Sequence, residues 1–160
     1  MELILLRHGK AENYCSEGDF SRPLVEKGRV QARRAAKLLK DAGKLPDIVL
    51  TSPLLRARQT AAEFCQTAGM PGEVIQGWLS SGMSPQTALA ELAAFKEFKR
   101  VAIVGHEPDL SRVVEWVLGT EDGGIEMKKG GLACVRISPP GRFGSLVYLI
   151  PPKLADDPEE

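Results

Sequence analysis

Two runs of four apolar residues, Leu3–Leu6 and Val101–Val104, end abruptly, one on Arg7-His8-Gly9 and the other on Gly105-His106. A continuous apolar run this short reads as a β-strand buried on both faces, the habit of strands in a parallel sheet covered by helices. The rest of the chain alternates in the same manner. A helical stretch from about Leu24 to Ala42 sets Val30, Ala35, Leu38 and Leu39 at core-facing spacing and stops at Gly43, with Gly28 an oddity in its first turn. Asp47–Thr51 is a second strand, handing over at "SPLLRARQTA" to a helix with Pro53 near its first position and Gly69 just past its end. Glu73–Gln76 reads as a short third strand, and Ser84-Pro85 caps a helix to about Phe98 with Leu89, Leu92, Ala93 and Phe95 on its apolar side. After Val101–Val104 comes a helix from about Pro108 to Leu118, stopped by Gly119. "LACVRI" and "SLVYLI" then form two strands around the turn-rich "SPPGRFG".

Strands alternating with helices predict an α/β fold: a three-layer sandwich with a mainly parallel central sheet, closed by a C-terminal antiparallel hairpin. The 160 residues suffice for one domain with a real core, assigned to residues 1–152, with 153–160 a short acidic tail. The first apolar run is too short for a signal peptide or a membrane span. Cys15, Cys65 and Cys134 form no CxxC pair, which disfavours a disulfide framework or a structural zinc site and fits a reducing, cytoplasmic setting. The 21 basic and 21 acidic residues balance, which gives no support to a nucleic-acid surface. No long apolar stripe is left over once the core is assigned, so a monomer is expected.

Ligands of open α/β sheets bind beyond the carboxyl ends of the strands. His8 and His106, the only histidines, each follow a buried strand directly and therefore belong at one edge. Either alone would read as a strand-end histidine bonded to a neighbouring loop; together, each beside a glycine that lets backbone approach a ligand, they read as a site. A catalytic metal would need a third ligand from Glu107, Glu12 or Asp109. Arg7, Arg22 and Arg56 crowd the same edge, and fixed positive charge favours an anion over a cation. Arg56 falls in the first turn of a helix that starts straight after a strand, a natural phosphate position, whereas Arg58 reads as an ordinary exposed arginine. Guanidinium forks suit phosphoryl oxygens.

The segments "LLRHGKAE", "SRPLVEKG", "TSPLLRARQTA" and "VGHEPDLS" resemble, in order and spacing, the histidine phosphatase superfamily, and more narrowly its small SixA-type phosphohistidine phosphatases. The resemblance runs from Leu3 to about Pro151 and implies the phosphoglycerate-mutase-like version of the α/β sandwich. It also implies roles. His8 is the nucleophile that becomes phosphorylated; Arg7, Arg56 and His106 complete the phosphate pocket; Arg22, and Gly9 beside the nucleophile, are further phosphate-binding residues. No metal and no cofactor are implied.

The sequence departs from larger members of that family, many of which supply an acidic residue after the third strand as general acid. Here that stretch, "EVIQGWLSSGMSP", offers only Glu73 at its start, with Glu107 the other candidate. Insertions that roof the pocket in larger members are missing, so the site should admit a protein side chain. The expected activity is a metal-independent phosphatase acting on phosphohistidine in a partner protein, such as a histidine-containing phosphotransfer domain or a phosphocarrier. The alternatives are a small-molecule phosphomonoesterase or mutase on the same fold, and a non-catalytic phosphate-binding module.

Overall fold

The computed structural model describes residues 1–155. Its elements, in chain order, are β1 (Glu2–Arg7), α1 (Glu26–Asp41), β2 (Ile48–Thr51), α2 (Leu55–Ala68), β3 (Val74–Ile75), α3 (Pro85–Leu92), β4 (Arg100–Gly105), α4 (Asp109–Leu118), β5 (Leu132–Arg136) and β6 (Ser145–Ile150). They build one mixed sheet in the order β3-β2-β4-β1-β5-β6. The first four strands in that order run parallel, and β5 pairs antiparallel with both β1 and β6. The expected parallel centre and C-terminal hairpin are both present.

Alternation along the central strands explains why helices cover both faces. Leu3 and Leu5 of β1 enter one apolar cluster, with Leu89 and Leu92 of α3 and Leu110, Val113 and Val117 of α4. Ile4 and Leu6 point the other way, into a second cluster with Ala35, Ala36 and Leu39 of α1 and Ala57, Ala61 and Phe64 of α2. A strand with no polar face must be covered twice, and burying each such side chain contributes about 1.5–3 kcal/mol. The alanines on the facing surfaces of α1 and α2 let these two helices lie close together.

Several boundaries differ from the sequence reading. Leu24 does not open α1; it pairs with Ala11 in an isolated bridge, and the helix begins at Glu26. Val30 and Leu38 are half-buried, while the buried positions of α1 are Gly28, Ala32, Ala35, Ala36 and Leu39, small residues in all but the last case. β3 has two residues, both exposed, because it is an edge strand paired on one side. The helix expected to reach Phe98 stops at Leu92 and gives way to a 3-10 turn over Ala93–Phe95. Its start is as expected: the Ser84 hydroxyl accepts from Thr87 N at 3.1 Å, with Pro85 in the first turn. Of the expected tail, residues 153–155 belong to a 3-10 turn over Pro152–Ala155; residues 156–160 lie outside the described residues.

The register of the two central strands positions everything that follows. Arg7 is the partner of Gly105 across the parallel β1–β4 pair. The next residue on each strand is a histidine. His8 N donates to Gly105 O at 3.0 Å, which extends the pairing one step past the strand end and sets the two histidines side by side.

Candidate active site

His8 and His106 face one another with ring centroids 5.3 Å apart and planes tilted by 55°. Both are almost wholly buried, at 7% and 3% exposure. Burial is the main reason their pKa values are low, about 3 for His8 and about 4 for His106, and the neighbouring arginines push in the same direction. Neutral rings are the consequence at ordinary pH. His8 Nδ1 lies 2.8 Å from Gly9 O, which can only accept; Nδ1 therefore carries the proton and Nε2 keeps its lone pair.

The backbone around His8 is fixed from three sides. Gly9 N donates to Thr60 Oγ1 at 3.0 Å, and the same hydroxyl donates to Arg56 O at 2.7 Å, tying the histidine loop to the helix that bears Arg56. Gly130 N donates to the carbonyls of Arg7 and His8. The third constraint explains Gly28, which sequence spacing left as an oddity in a helix. A Cβ on Gly28 would sit 2.1 Å from Lys10 O, and one on Gly9 would sit 2.4 Å from Gly28 O. Two glycines in contact let the first turn of α1 press on the loop directly after the histidine.

Three arginines converge beside the histidines. Arg56 stands in the first turn of α2, 5% exposed. Its guanidinium donates to Asp19 O at 2.9 Å and to Asp19 Oδ2 at 3.3 Å. Arg22 Nε donates to Asp19 Oδ1 at 2.8 Å and its Nη1 to Glu12 O at 2.7 Å. Arg7 Nη1 donates to Met127 O at 2.8 Å. Burial lowers the pKa of Arg7 and Arg56 from the ordinary value, yet a guanidinium keeps its proton. A cavity of about 210 Å³ is lined by Arg7, Arg22, Arg56, His8 and His106, with Ala11, Ser81, Glu107 and Lys129 completing its wall. Arg7 Nε, Arg56 Nε and His106 Nδ1 are buried and have no hydrogen-bond partner among the described residues. Leaving such a group unpaired costs about 1–3 kcal/mol. Three such nitrogens belong to residues around one small cavity, and the fixed positive charge of Arg7, Arg22 and Arg56 in its wall suits an anion with several acceptor oxygens.

The two acid candidates separate. Glu107 lines the cavity, but both its oxygens are engaged by Ser111, accepting from its backbone N at 2.9 Å and from its hydroxyl. It serves as a side-chain cap for the first turn of α4. Glu73 is not among the lining residues; it lies near Cys65, whose thiol burial pushes up to about 11 with a smaller contribution from Glu73. The loop after β3 instead presents Ser81. That loop is held by Asp109, whose carboxylate accepts from Gly82 N at 2.8 Å and Met83 N at 3.1 Å. Asp109, weighed from sequence as a third metal ligand, is thus occupied as a loop clamp, and Glu12 is not among the residues lining the cavity. No group of three or more His, Cys, Asp or Glu suited to a metal occurs among the described residues, and no helix among them is long and apolar enough to cross a membrane.

Sequence reasoning missed Asp19, Thr60, Ser52, Ser81 and Lys129. Ser52 Oγ is 2.8 Å from His106 Nε2 and also accepts from Leu54 N at 3.2 Å. The serine in "TSPLL" was visible as part of a motif, and its spacing after a strand end could have marked it. Lys129 reaches the cavity from the segment before β5 and carried no signal.

Comparison with known proteins agrees with this architecture. Residues 3–79 match the model of the histidine phosphatase superfamily, branch 1. An uncharacterised protein of Picosynechococcus is 34% identical over 147 residues, covering 85% of each chain. A 2,3-bisphosphoglycerate-dependent phosphoglycerate mutase of Bifidobacterium longum is 48% identical over 63 residues; these are 38% of this chain and only 26% of the mutase. Among solved structures, the protein histidine phosphatase SixA complexed with tungstate superposes with a TM-score of 0.86 at 24% identity, covering 98% of this chain and 100% of that one. The SixA protein of Agrobacterium tumefaciens gives a TM-score of 0.80 at 28% identity, over 93% and 96% of the two chains. Paired histidines after β1 and β4, arginines around them, the family match over residues 3–79 and the superposition on SixA lead to one conclusion: the chain belongs to the histidine phosphatase superfamily and is built on its compact SixA-type plan.

Proposed function

We propose that this phosphatase removes the phosphoryl group from phosphohistidine on a partner protein, by way of a phosphohistidine formed on His8. The supporting observation is the pairing of a neutral His8, whose Nε2 lone pair is free, with a small arginine-lined cavity in which no unengaged carboxylic acid stands. In this reading the partner's phosphohistidine already carries a solvent-derived proton on its other ring nitrogen; Nε2 attacks phosphorus in line, the P–N bond breaks, and the partner's imidazole leaves as the neutral ring. Water then attacks the phosphorus on His8, releasing inorganic phosphate and the neutral histidine. Arg7, Arg22, Arg56 and His106 stabilise the equatorial oxygens, so positioning and electrostatics account for the rate. His106 is suited to donate here. If Ser52 donates to its Nε2, the proton sits on Nδ1, the unpartnered atom. Fixed cations then do what a metal ion does elsewhere, and turnover should survive exhaustive chelation.

The same fold supports a second reading. The segment matching the superfamily model, residues 3–79, carries His8, Arg22 and Arg56, the residues that would hold any phosphomonoester. The missing free acid favours phosphohistidine, because imidazole leaves without the proton an alkoxide needs. A denaturing quench of enzyme mixed with a phosphohistidine protein should trap acid-labile, alkali-stable phosphate on His8. Label on serine, cysteine or aspartate, or an active His8→Ala protein, would overturn the mechanism.

A further inference from the structure

A second, larger cavity of about 660 Å³ opens beside the first, and Arg7 and Lys129 line both. Its remaining wall combines Lys128 and Lys153 with an apolar floor of Pro151, Pro152 and Leu154. Leu154 is 72% exposed, an unusual position for a leucine in an ordered turn. Lys128 is paired with Glu126 at 2.7 Å, whereas neither Lys129 nor Lys153 forms an ion pair with a described residue. The groove therefore presents four cations, counting Arg7, against the single carboxylate of Glu126.

We infer that this groove docks the polypeptide next to the substrate's phosphohistidine, and that it selects a segment carrying carboxylates and an apolar side chain. The inference rests on the phosphohistidine-protein reading above. Continuity carries it: a phosphoryl group in the smaller cavity brings its carrier chain past the shared wall of Arg7 and Lys129. Charge sets the chemistry of that chain. Acidic residues would meet Lys129 and Lys153, and a leucine-like side chain would cover the exposed prolines and Leu154. Free phosphohistidine carries no flanking chain to lie along the groove, so the groove favours protein substrates over small ones.

The test uses two synthetic phosphohistidine peptides, one with Asp, Glu and Leu on both sides of the phosphohistidine, the other with Ser, Asn and Gly in those places. The acidic peptide should show about tenfold higher kcat/KM, expressed in KM, as expected for a few exposed charge contacts. The preference should fade in about 0.5 M salt, where the screening length is short. In the full-length double variant Lys128→Glu, Lys153→Glu the preference should vanish, while the neutral peptide and free phosphohistidine are turned over as before. Equal rates on both peptides with the native protein, or a preference that survives the double variant, overturn the groove alone. A native protein that hydrolyses phosphomonoesters but no phosphohistidine compound overturns the parent reading and the groove with it. If the preference appears only when Asp156, Asp157, Glu159 and Glu160 are exchanged for Asn and Gln in the full chain, the groove serves the chain's own tail, and its assignment to a partner is overturned.

Discussion

Asp19 holds Arg56 at two points, its carbonyl oxygen 2.9 Å and its carboxylate 3.3 Å from the guanidinium, and the same carboxylate holds Arg22 at 2.8 Å. One acidic side chain thus sets the separation of two of the three arginines around the cavity. The pair of contacts keeps the Asp19 carboxyl below its ordinary pKa, the bond from Arg22 foremost.

Two opposite effects follow from removing that carboxylate. Its negative charge repels a phosphoryl dianion, which argues for faster turnover without it. But the side chain is 66% exposed, so the repulsion is screened, whereas its loss leaves each guanidinium held by a single backbone carbonyl, Arg56 by Asp19 O and Arg22 by Glu12 O. Positioning wins. Asp19→Ala should lower kcat/KM by about tenfold and weaken competitive inhibition by inorganic phosphate in parallel, as for the loss of oriented donors. Tighter phosphate binding in the variant would show that Asp19 acts as a competing anion.

The pH dependence follows from the two histidines. Each has a folded pKa below the unfolded value of 6.5, about 3 for His8 and about 4 for His106. Below about pH 6.5 the unfolded chain takes up protons that the folded protein refuses, so stability is lost as pH falls from there through the folded values. Above pH 6.5 neither histidine contributes a slope. Replacing either by Asn should therefore narrow the stability gap to the native protein as pH falls from about 7.5 to about 5, read as Tm in thermal melts. A gap that is constant across this range would mean the histidines are not buried in their neutral form.

Gly28→Ala sets helix propensity against packing. Alanine inside a helix gains about 1 kcal/mol over glycine. Its Cβ would lie 2.1 Å from Lys10 O and 2.8 Å from Lys10 N, so the backbone after Gly9 must move. Overpacking of this kind costs about 1–3 kcal/mol, and here backbone atoms, rather than a flexible side chain, must yield. The variant should melt several degrees lower and lose turnover, because the displaced loop carries His8. A Tm equal to or above that of the native protein would show that the contact relaxes freely.

These cases mark where the sequence was informative. β1 and β4 were legible because their apolar runs are unbroken, and both histidines could be placed at one edge from that alone. Their adjacency was not legible, since it depends on the pairing of Arg7 with Gly105 in a register that no local pattern encodes. β3 was overextended because an edge strand paired on one side leaves Val74 and Ile75 exposed while looking apolar in sequence. Gly28 looked like a flaw in a helix, and its reason lies 18 residues earlier in the chain, at Lys10. Asp19 and Lys129 carry common surface residue types, and only the fold brings Asp19 against Arg22 and Arg56 and Lys129 to the cavity wall. Whether Glu107 or Glu73 could act as general acid was open in the sequence, because the bonds of Glu107 to Ser111 are a matter of rotamer and not of spacing.

That rotamer decides the leaving-group prediction. An alkoxide must be protonated as the P–O bond breaks, and a positioned general acid contributes about 10²–10⁴-fold. Glu107 accepts two hydrogen bonds from Ser111, one on each oxygen, which hold its carboxylate against the first turn of α4, and Glu73 is not among the residues lining the cavity. The loop after β3 presents Ser81 to the site, a hydroxyl that does not donate a proton readily at neutral pH. Phosphohistidine, whose imidazole can leave already protonated on its second nitrogen, should therefore be turned over well, aryl phosphates poorly and alkyl phosphates barely. Glu107→Gln should change the alkyl and phosphohistidine rates by similar, small factors, since it weakens a helix cap and removes no acid. A selective loss of about 100-fold on alkyl esters in that variant would instead identify Glu107 as the proton donor. Comparable kcat/KM values for a phosphohistidine protein and a simple alkyl monoester would assign the enzyme to small-molecule phosphates.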